Sequence, residues 1–404
     1  MPRHSVLILV LVIGLLVGCV VPKSTPSSTP PAETPASVPS VTPRPTAVPT
    51  ATTAPPGAEL VARSARLGRG VNLGNALEGP TEGAWGMVIE EDFFSLIHEA
   101  GFDTVRVPIR WSAHAAEAAP YTVDPEFFER IDWVVEYALA QDLNVVINMH
   151  HYDELFESPA DHADRFVAIW EQIAARYEPQ PGTVYFELLN EPHGNLDFKT
   201  WNLLLERTVE VVRAVDDHHT LVLAGGDWGG ISSLRTLVIP EGESNVIATF
   251  HYYDPFLFTH QGAEWVGPEI GTVGVTWPGP PEADVTLLPE SRKVDWVRLW
   301  FLRYNQTPGR ANPASPVAIT QAFDRALDWS ESTGVPLWLG EFGAYSTADM
   351  DSRARWTAAV RKEAEARGFS WAYWEFGAGF GVYDRDAQTW RQPLLDALVP
   401  ESDG

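Results

Sequence analysis

Two glutamates stand where they could share one piece of chemistry. Glu191 lies in TVYFELLNEPHG and Glu341 in VPLWLGEFGAY. In each, an apolar, β-branched run breaks into Gly or Pro, the pattern of a buried parallel strand at its carboxyl end. Carboxylates brought to one face from different strands can divide the cleavage of a glycosidic bond. One protonates the leaving oxygen while the other attacks the sugar carbon or activates water. Flanked by Asn190 and Pro192 on a crowded strand end, Glu191 can be kept partly desolvated, which raises a carboxyl pKa as an acid requires. Glu341 must attack in its ionised form, so a cation should point at it. Arg106, in the apolar run DTVRVPI, is the candidate, because a buried arginine is costly unless paired. The other reading of Arg106 is an ion pair in a barrel core.

Other strand ends carry polar rings. His150 and His151 are adjacent, so both can face one site only where their strand bends. Two histidines invite a zinc reading, but no third ligand stands at a standard spacing and there is no HExxH. They read instead as donors to a sugar, and no metal or organic cofactor is expected. His251 and Tyr253, two residues apart, fall on one face of a strand. Glu78, Glu187 and Glu375 are further acids near strand ends; Glu187 should pair with a buried base, and Glu375 could support the site beside Trp374.

These residues need a scaffold that aligns eight strand ends. Strand-like runs occur at 69–75, 103–109, 144–149, 183–189, 220–226, 245–251, 335–341 and 369–375. Amphipathic stretches lie between them, such as 161–177, where Phe166, Ile169, Trp170 and Ile173 share one helical face. Alternation of strand and helix without a second composition regime predicts a single α/β domain, a (β/α)8 TIM barrel over 59–404. A doubly wound open sheet is the alternative fold. One connection, roughly 254–315, is long and rich in Pro, Gly and Trp, and reads as a helix-bearing wall of the substrate cleft.

The amino-terminal segment has a different composition. Arg3, an apolar run from Val6 to Val17 and the sequence LVGC ending at Cys19 have the layout of a bacterial signal peptide, residues 1–18. LVGC resembles a lipobox, which implies lipid attachment to Cys19, the one cysteine; an uncleaved anchor is the alternative. The Pro/Thr/Ser-rich segment 19–58 has no apolar periodicity and reads as a disordered linker. The expected location is therefore the outer face of the cell, membrane-associated only through the lipid. A net charge of −26 argues against nucleic-acid partners. Sixteen tryptophans offer flat apolar faces, some of them suited to pyranose rings.

The motifs RGVNLGNALEG, VRVPIRW, NMHHYDEL, LLNEPHGNL, HYYDPFLFTHQGAEW, GEFGAY and AYWEFGAGFGVYD together resemble glycoside hydrolase family 5. They are most similar to its bacterial endo-β-1,4-glucanase branch, some members of which also cleave mannan. The resemblance implies a retaining hydrolase with Glu191 as acid/base and Glu341 as nucleophile. It gives His251 a contact with Glu191, Tyr253 a hydrogen bond to Glu341, and Asn190 the sugar 2-hydroxyl. His150 and His151 would meet the −1 sugar and Trp374 would form its platform, with Asn75, Trp228 and Trp265 serving other subsites. The implied partner is a β-linked polysaccharide, glucan first, with mannan, xyloglucan or mixed-linkage glucan as alternatives, acted on by a monomer. A surface lipoprotein that binds glycan without cutting it, or a metal-dependent hydrolase, would be the readings from other classes.

Overall fold

The structure, a computed structural model, describes residues 58–400. The expected signal peptide, Cys19 and the linker up to residue 57 lie outside those residues. Eight parallel strands close on themselves in chain order. They are β1 (Arg69–Asn72), β2 (Thr104–Val107), β3 (Asn144–Asn148), β4 (Val184–Glu187), β5 (Thr220–Ala224), β6 (Val246–His251), β7 (Leu337–Phe342) and β8 (Ser370–Tyr373). β1 pairs with β8, so the sheet is a barrel and the open-sheet alternative falls. Helices Asp92–Glu99, Pro125–Ala140, Pro159–Tyr177, Phe198–Val215, Pro316–Thr333 and Met350–Ala366 surround it. The connection after β5 breaks the expected alternation. Its Gly- and Pro-rich sequence supports only a 3-10 turn, Ile231–Thr236, before β6.

Strand periodicity sorts the buried residues into two cores. One set of alternate positions, including Val105, Val145, Phe186, Leu223 and Phe250, joins the surrounding helices in a large outer core. The other set points into the barrel. Val146, Tyr185, Val222, Ile247, Trp338 and Ala372 form a separate apolar plug with Leu67. One pleat farther along, the inward positions become polar: Asn72, Arg106, Asn148, Glu187, Thr249 and His251, all buried. The apolar layer thus makes a dry floor beneath a polar layer.

The amino-terminal end of this interior is closed by a helix, Ala58–Arg66, that opens at a residue expected to end the linker. Carbonyls near the carboxyl end of any helix lack intrahelical partners. Here those of Arg63, Ser64, Arg66 and Leu67 accept hydrogen bonds from Tyr185, Ser370, Asn144 and Thr104, at 2.8, 2.8, 2.9 and 2.6 Å. Polar side chains at the mouth of the barrel are satisfied while the plug stays dry.

Only part of the long connection after β6 becomes a wall of the site. Its first part carries Trp265 toward Tyr345. The later helix Asp295–Gln306 buries Val297, Phe301 and Tyr304, and the Tyr304 hydroxyl bonds Thr276. Trp277 in turn bonds Ser352 at the start of Met350–Ala366. That later part therefore packs on the flank, because its apolar stripe is buried against its own connecting loop.

The plug should carry a large share of the stability. Trp338→Ala removes a fully buried indole and is expected to lower the unfolding free energy by about 3–5 kcal/mol, as measured by urea denaturation.

Candidate active site

The polar layer is organised around Arg106. Its guanidinium is fully buried and each of its five N–H groups has an acceptor. Nε and one terminal nitrogen grip Glu187 in a fork at 2.6 and 2.7 Å. The remaining bonds go to Asn72 and Asn190, both at 2.8 Å, and to Glu341 at 2.6 Å. Arg106 therefore pairs with a core carboxylate and also contacts Glu341. Asn190 spends its oxygen on Arg106, which leaves the amide NH2 as the group turned to other partners.

Glu341 reaches this layer through a break in strand register. Trp338 and Gly340 are inward positions, so strict alternation would turn Glu341 outward. At this point β6 and β7 shift register, with Phe250 opposite Leu339 and His251 opposite Glu341. The bulge re-aims the carboxylate into the site. Gly340 is the residue that permits it, because a Cβ there would lie 2.6 Å from the Thr249 hydroxyl oxygen and 3.1 Å from His251 Nε2. One Glu341 oxygen takes the Arg106 bond and the other accepts the Tyr253 hydroxyl at 2.8 Å. Burial and the nearby Glu341 push the Tyr253 phenol well above its ordinary pKa, so it remains a donor.

Glu191 lies across from Glu341 at the end of β4, with His251 between them. His251 Nδ1 is 2.7 Å from Glu191 Oε1 and 3.6 Å from Glu341 Oε2. Burial opposes a charge on His251, but Glu341 and the hydrogen bond to Glu191 outweigh it and raise its pKa. Between Asn190 and Pro192, the Glu191 side chain keeps 23% of its accessibility. Its backbone is left-handed, with φ of 43°, as are Asn75 at 64° and Trp228 at 64°. Such angles are uncommon in residues other than glycine, and these three stand at the ends of β1, β4 and β5.

The remaining strand ends supply rings. His150 stacks on Trp374 with centroids 5.4 Å apart and planes 9° apart. Asn148 Oδ1 accepts from the Ile109 N–H, so its amide nitrogen faces His150 Nδ1 at 3.2 Å. That places the proton of neutral His150 on Nε2, and burial holds its pKa well below the usual value. Burial also brings His151 down to about 4. A Cβ at Gly74 would sit 2.8 Å from the Trp374 indole, so glycine lets that ring lie against the backbone. Trp228 is 44% exposed and Trp265 61% exposed. Trp228 is on the Glu191 side, and Trp265 is reached from Tyr253 through His260.

Buried acids fix the loops. Glu78 accepts from the N–H groups of Asn75 and Ala76, and burial pushes it up to about 8 despite those bonds. Glu375 accepts from Gly377, Ala378 and Phe380, shaping the turn behind Trp374. Three residues given no role from sequence also belong here. His193 stacks on Trp228 at 3.5 Å and contacts the Glu191 carbonyl at 2.6 Å. Trp85 meets His151 edge-on, and Asn72 bonds Arg106. Only the glycines around Trp85 and the histidine in NEPHG hinted at them.

Glu191, His251 and Glu341 bring ligand-type atoms within 4.8 Å of one another. A guanidinium 2.6 Å from Glu341 makes that cluster a poor cation site. Asp216, His218 and His219 form a second cluster, where Asp216 is engaged by the His218 and His219 backbone N–H groups and by the His219 ring.

Paired carboxylates on the carboxyl face of a barrel agree with the sequence relationships. The profile of cellulase, glycosyl hydrolase family 5, matches residues 68–379. The chain belongs to this family. It is 31% identical to endoglucanase H of Acetivibrio thermocellus, over 86% of this chain and 34% of that protein. With endoglucanase C of the same organism it shares 27% identity, over 77% of this chain and 91% of that one. The chain spans 34% to 50% of the length of three of the curated relatives it matches. The crystal structure of endoglucanase Cel5A from Thermotoga maritima is similar with a TM-score of 0.74 and 46% identity, covering 84% of this chain and 99% of that one.

Because Arg106 neutralises an otherwise isolated Glu187, Arg106→Met is expected to lower stability by about 3–5 kcal/mol. Urea unfolding would measure this, and an unchanged midpoint would contradict the role of Arg106 as the centre of the polar layer.

Proposed function

We propose that this family 5 protein is a retaining endo-β-1,4-glucanase. The observation that carries the reading is the spacing of its two carboxylates. With ligand-type oxygens of Glu191 and Glu341 within 4.8 Å, there is little room for a water between an inverting pair. Retaining enzymes hold these groups about 5–5.5 Å apart, inverting ones about 6.5–9.5 Å.

In this mechanism Glu341 attacks the anomeric carbon while Glu191 protonates the departing glycosidic oxygen. Water activated by Glu191 then releases the glycosyl-enzyme. The donors from Arg106 and Tyr253 fix Glu341 for a single line of attack. Glu191 keeps contact with solvent, as a group that must give up a proton and regain it requires. The free NH2 of Asn190 would hold the sugar 2-hydroxyl, Trp374 backed by His150 would carry the −1 ring, and Trp228 and Trp265 would extend the cleft.

The names of the relatives favour β-1,4-glucan. Thermotoga maritima Cel5A has been solved with cellobiose and with mannotriose, which makes mannan the second reading. The full chain should release reducing sugar from carboxymethylcellulose, glucomannan, mannan or xyloglucan, and the preferred polymer names the substrate. Glu341→Gln should lower turnover by about a thousandfold or more. NMR of the first product should find the β-anomer; the α-anomer would overturn retention, and no turnover by folded wild type would overturn the hydrolase reading.

The amino-terminal segment supports a lipid-anchored protein on the outer cell face, with residues 19–57 as tether. Cys19→Ser should move it from the membrane to the soluble fraction, whereas continued membrane retention would favour an uncleaved anchor.

A further inference from the structure

β6 presents two faces where it ends. His251 and Tyr253 turn toward the carboxylates, and the intervening Tyr252, with Asp254 beyond, turns the other way. On that side lies a hollow of about 320 Å³ between the end of β6 and the helices Asp295–Gln306 and Pro316–Thr333. It is at the lower end of the ~300–1,000 Å³ range of ligand pockets. Neither paired carboxylate lines it, and much of one wall comes from the long connection after β6.

The lining combines flat apolar faces with unspent polar groups. Trp296 and Trp300 are one helical turn apart, so their indoles share a face. Trp300 is held by stacking on Tyr304, centroids 4.9 Å and planes 13° apart, while Trp296 is 48% exposed. Trp300 thus packs against the buried Val297, Phe301 and Tyr304 stripe of the helix, whereas Trp296 stands outside that packing. Opposite stand Asp254, Gln321 and Arg325. Among the described residues, the Asp254 carboxylate has no hydrogen-bond or ion-pair partner. Asp254 is an exposed residue on the lining, and the desolvation that nearby protein still imposes raises its pKa, partly offset by the charge of Arg325. Arg325 uses one terminal nitrogen on the Gln321 carbonyl and has no ion pair within the described residues.

From these features we infer a second glycan-binding site, which holds a β-1,4-linked glucan chain through Trp296 and Trp300 and through Asp254, Gln321 and Arg325. The inference rests on the glucanase reading for the identity of the chain. The chemistry selects a neutral polyhydroxylated ligand. Indole faces match the apolar faces of pyranose rings, and the rim offers both acceptors and donors to hydroxyls. A lining that carries one charge of each sign suits neither an anion nor a cation. Back to back with the catalytic face across one strand end, the site would keep a polymer near the cleft without taking part in bond cleavage.

The test uses the full chain in native gels containing hydroxyethylcellulose, alongside cellotetraose turnover. Glu341→Gln blocks hydrolysis during migration. Adding Trp296→Ala or Arg325→Ala to it should weaken polymer retardation by about fivefold, while Trp296→Phe should preserve it. In the otherwise wild-type enzyme, Trp296→Ala should turn over cellotetraose as wild type does. Equal retardation with and without Trp296 would overturn the second site, as would a parallel loss of cellotetraose turnover, which would place the effect in the cleft or the fold. Failure of wild type to cleave any β-glucan would instead strike the glucanase reading, while retardation still reads the hollow.

Discussion

A guanidinium buried in a barrel must find an acceptor for every N–H or bear the full penalty of desolvation. Arg106 finds five: two oxygens of Glu187 and one each from Asn72, Asn190 and Glu341. These come from β1, β4 and β7 and from the turn after β4, so one planar group on β2 links separate strands. Its fork geometry accounts for arginine rather than lysine here, since an ammonium has three donors and no plane. Glu187 balances the charge from below, while Glu341 and Asn190 receive what remains of the donors from above.

That arrangement depends on the layer beneath it. Water reaching Arg106 from the amino end of the barrel would weaken each of these bonds by raising the local dielectric. The plug of Val146, Tyr185, Val222, Ile247, Trp338 and Ala372 excludes it. The helix Ala58–Arg66 completes the seal by using its own unpaired carbonyls to satisfy the polar side chains at the rim. Ion pair, plug and helix therefore act together, although they come from distant parts of the chain.

At the other end regular geometry gives way to specific distortion. The bulge at Gly340 turns Glu341 into the polar layer, and left-handed backbone at Glu191 and Trp228 directs side chains that a continuing strand or helix would point elsewhere. His193 connects two of these irregular positions by stacking on Trp228 and contacting the Glu191 carbonyl. The barrel supplies rigidity, and its strand ends supply directions that ideal strands do not have.

The eight strands were legible in the sequence because each is a short run buried on both faces, rich in β-branched residues and ended by Gly, Pro or polar groups. The same logic located Glu191, Glu341, His251 and Tyr253 at strand ends, and it required a partner for Arg106, because burial of an unpaired charge is prohibitive. What the sequence could not specify depended on distance through space. The match of Arg106 to five acceptors joins residues as far apart as Asn72 and Glu341. The inward turn of Glu341 contradicts the period-2 rule that located its strand, and it follows from packing of Gly340 against Thr249 and His251. That the helix Ala58–Arg66 closes the barrel was not legible in its own residues, because the side chains that bond its carbonyls lie on other strands. Local pattern determined which segments are strands and which groups must be paired; closure of the barrel decided which groups meet.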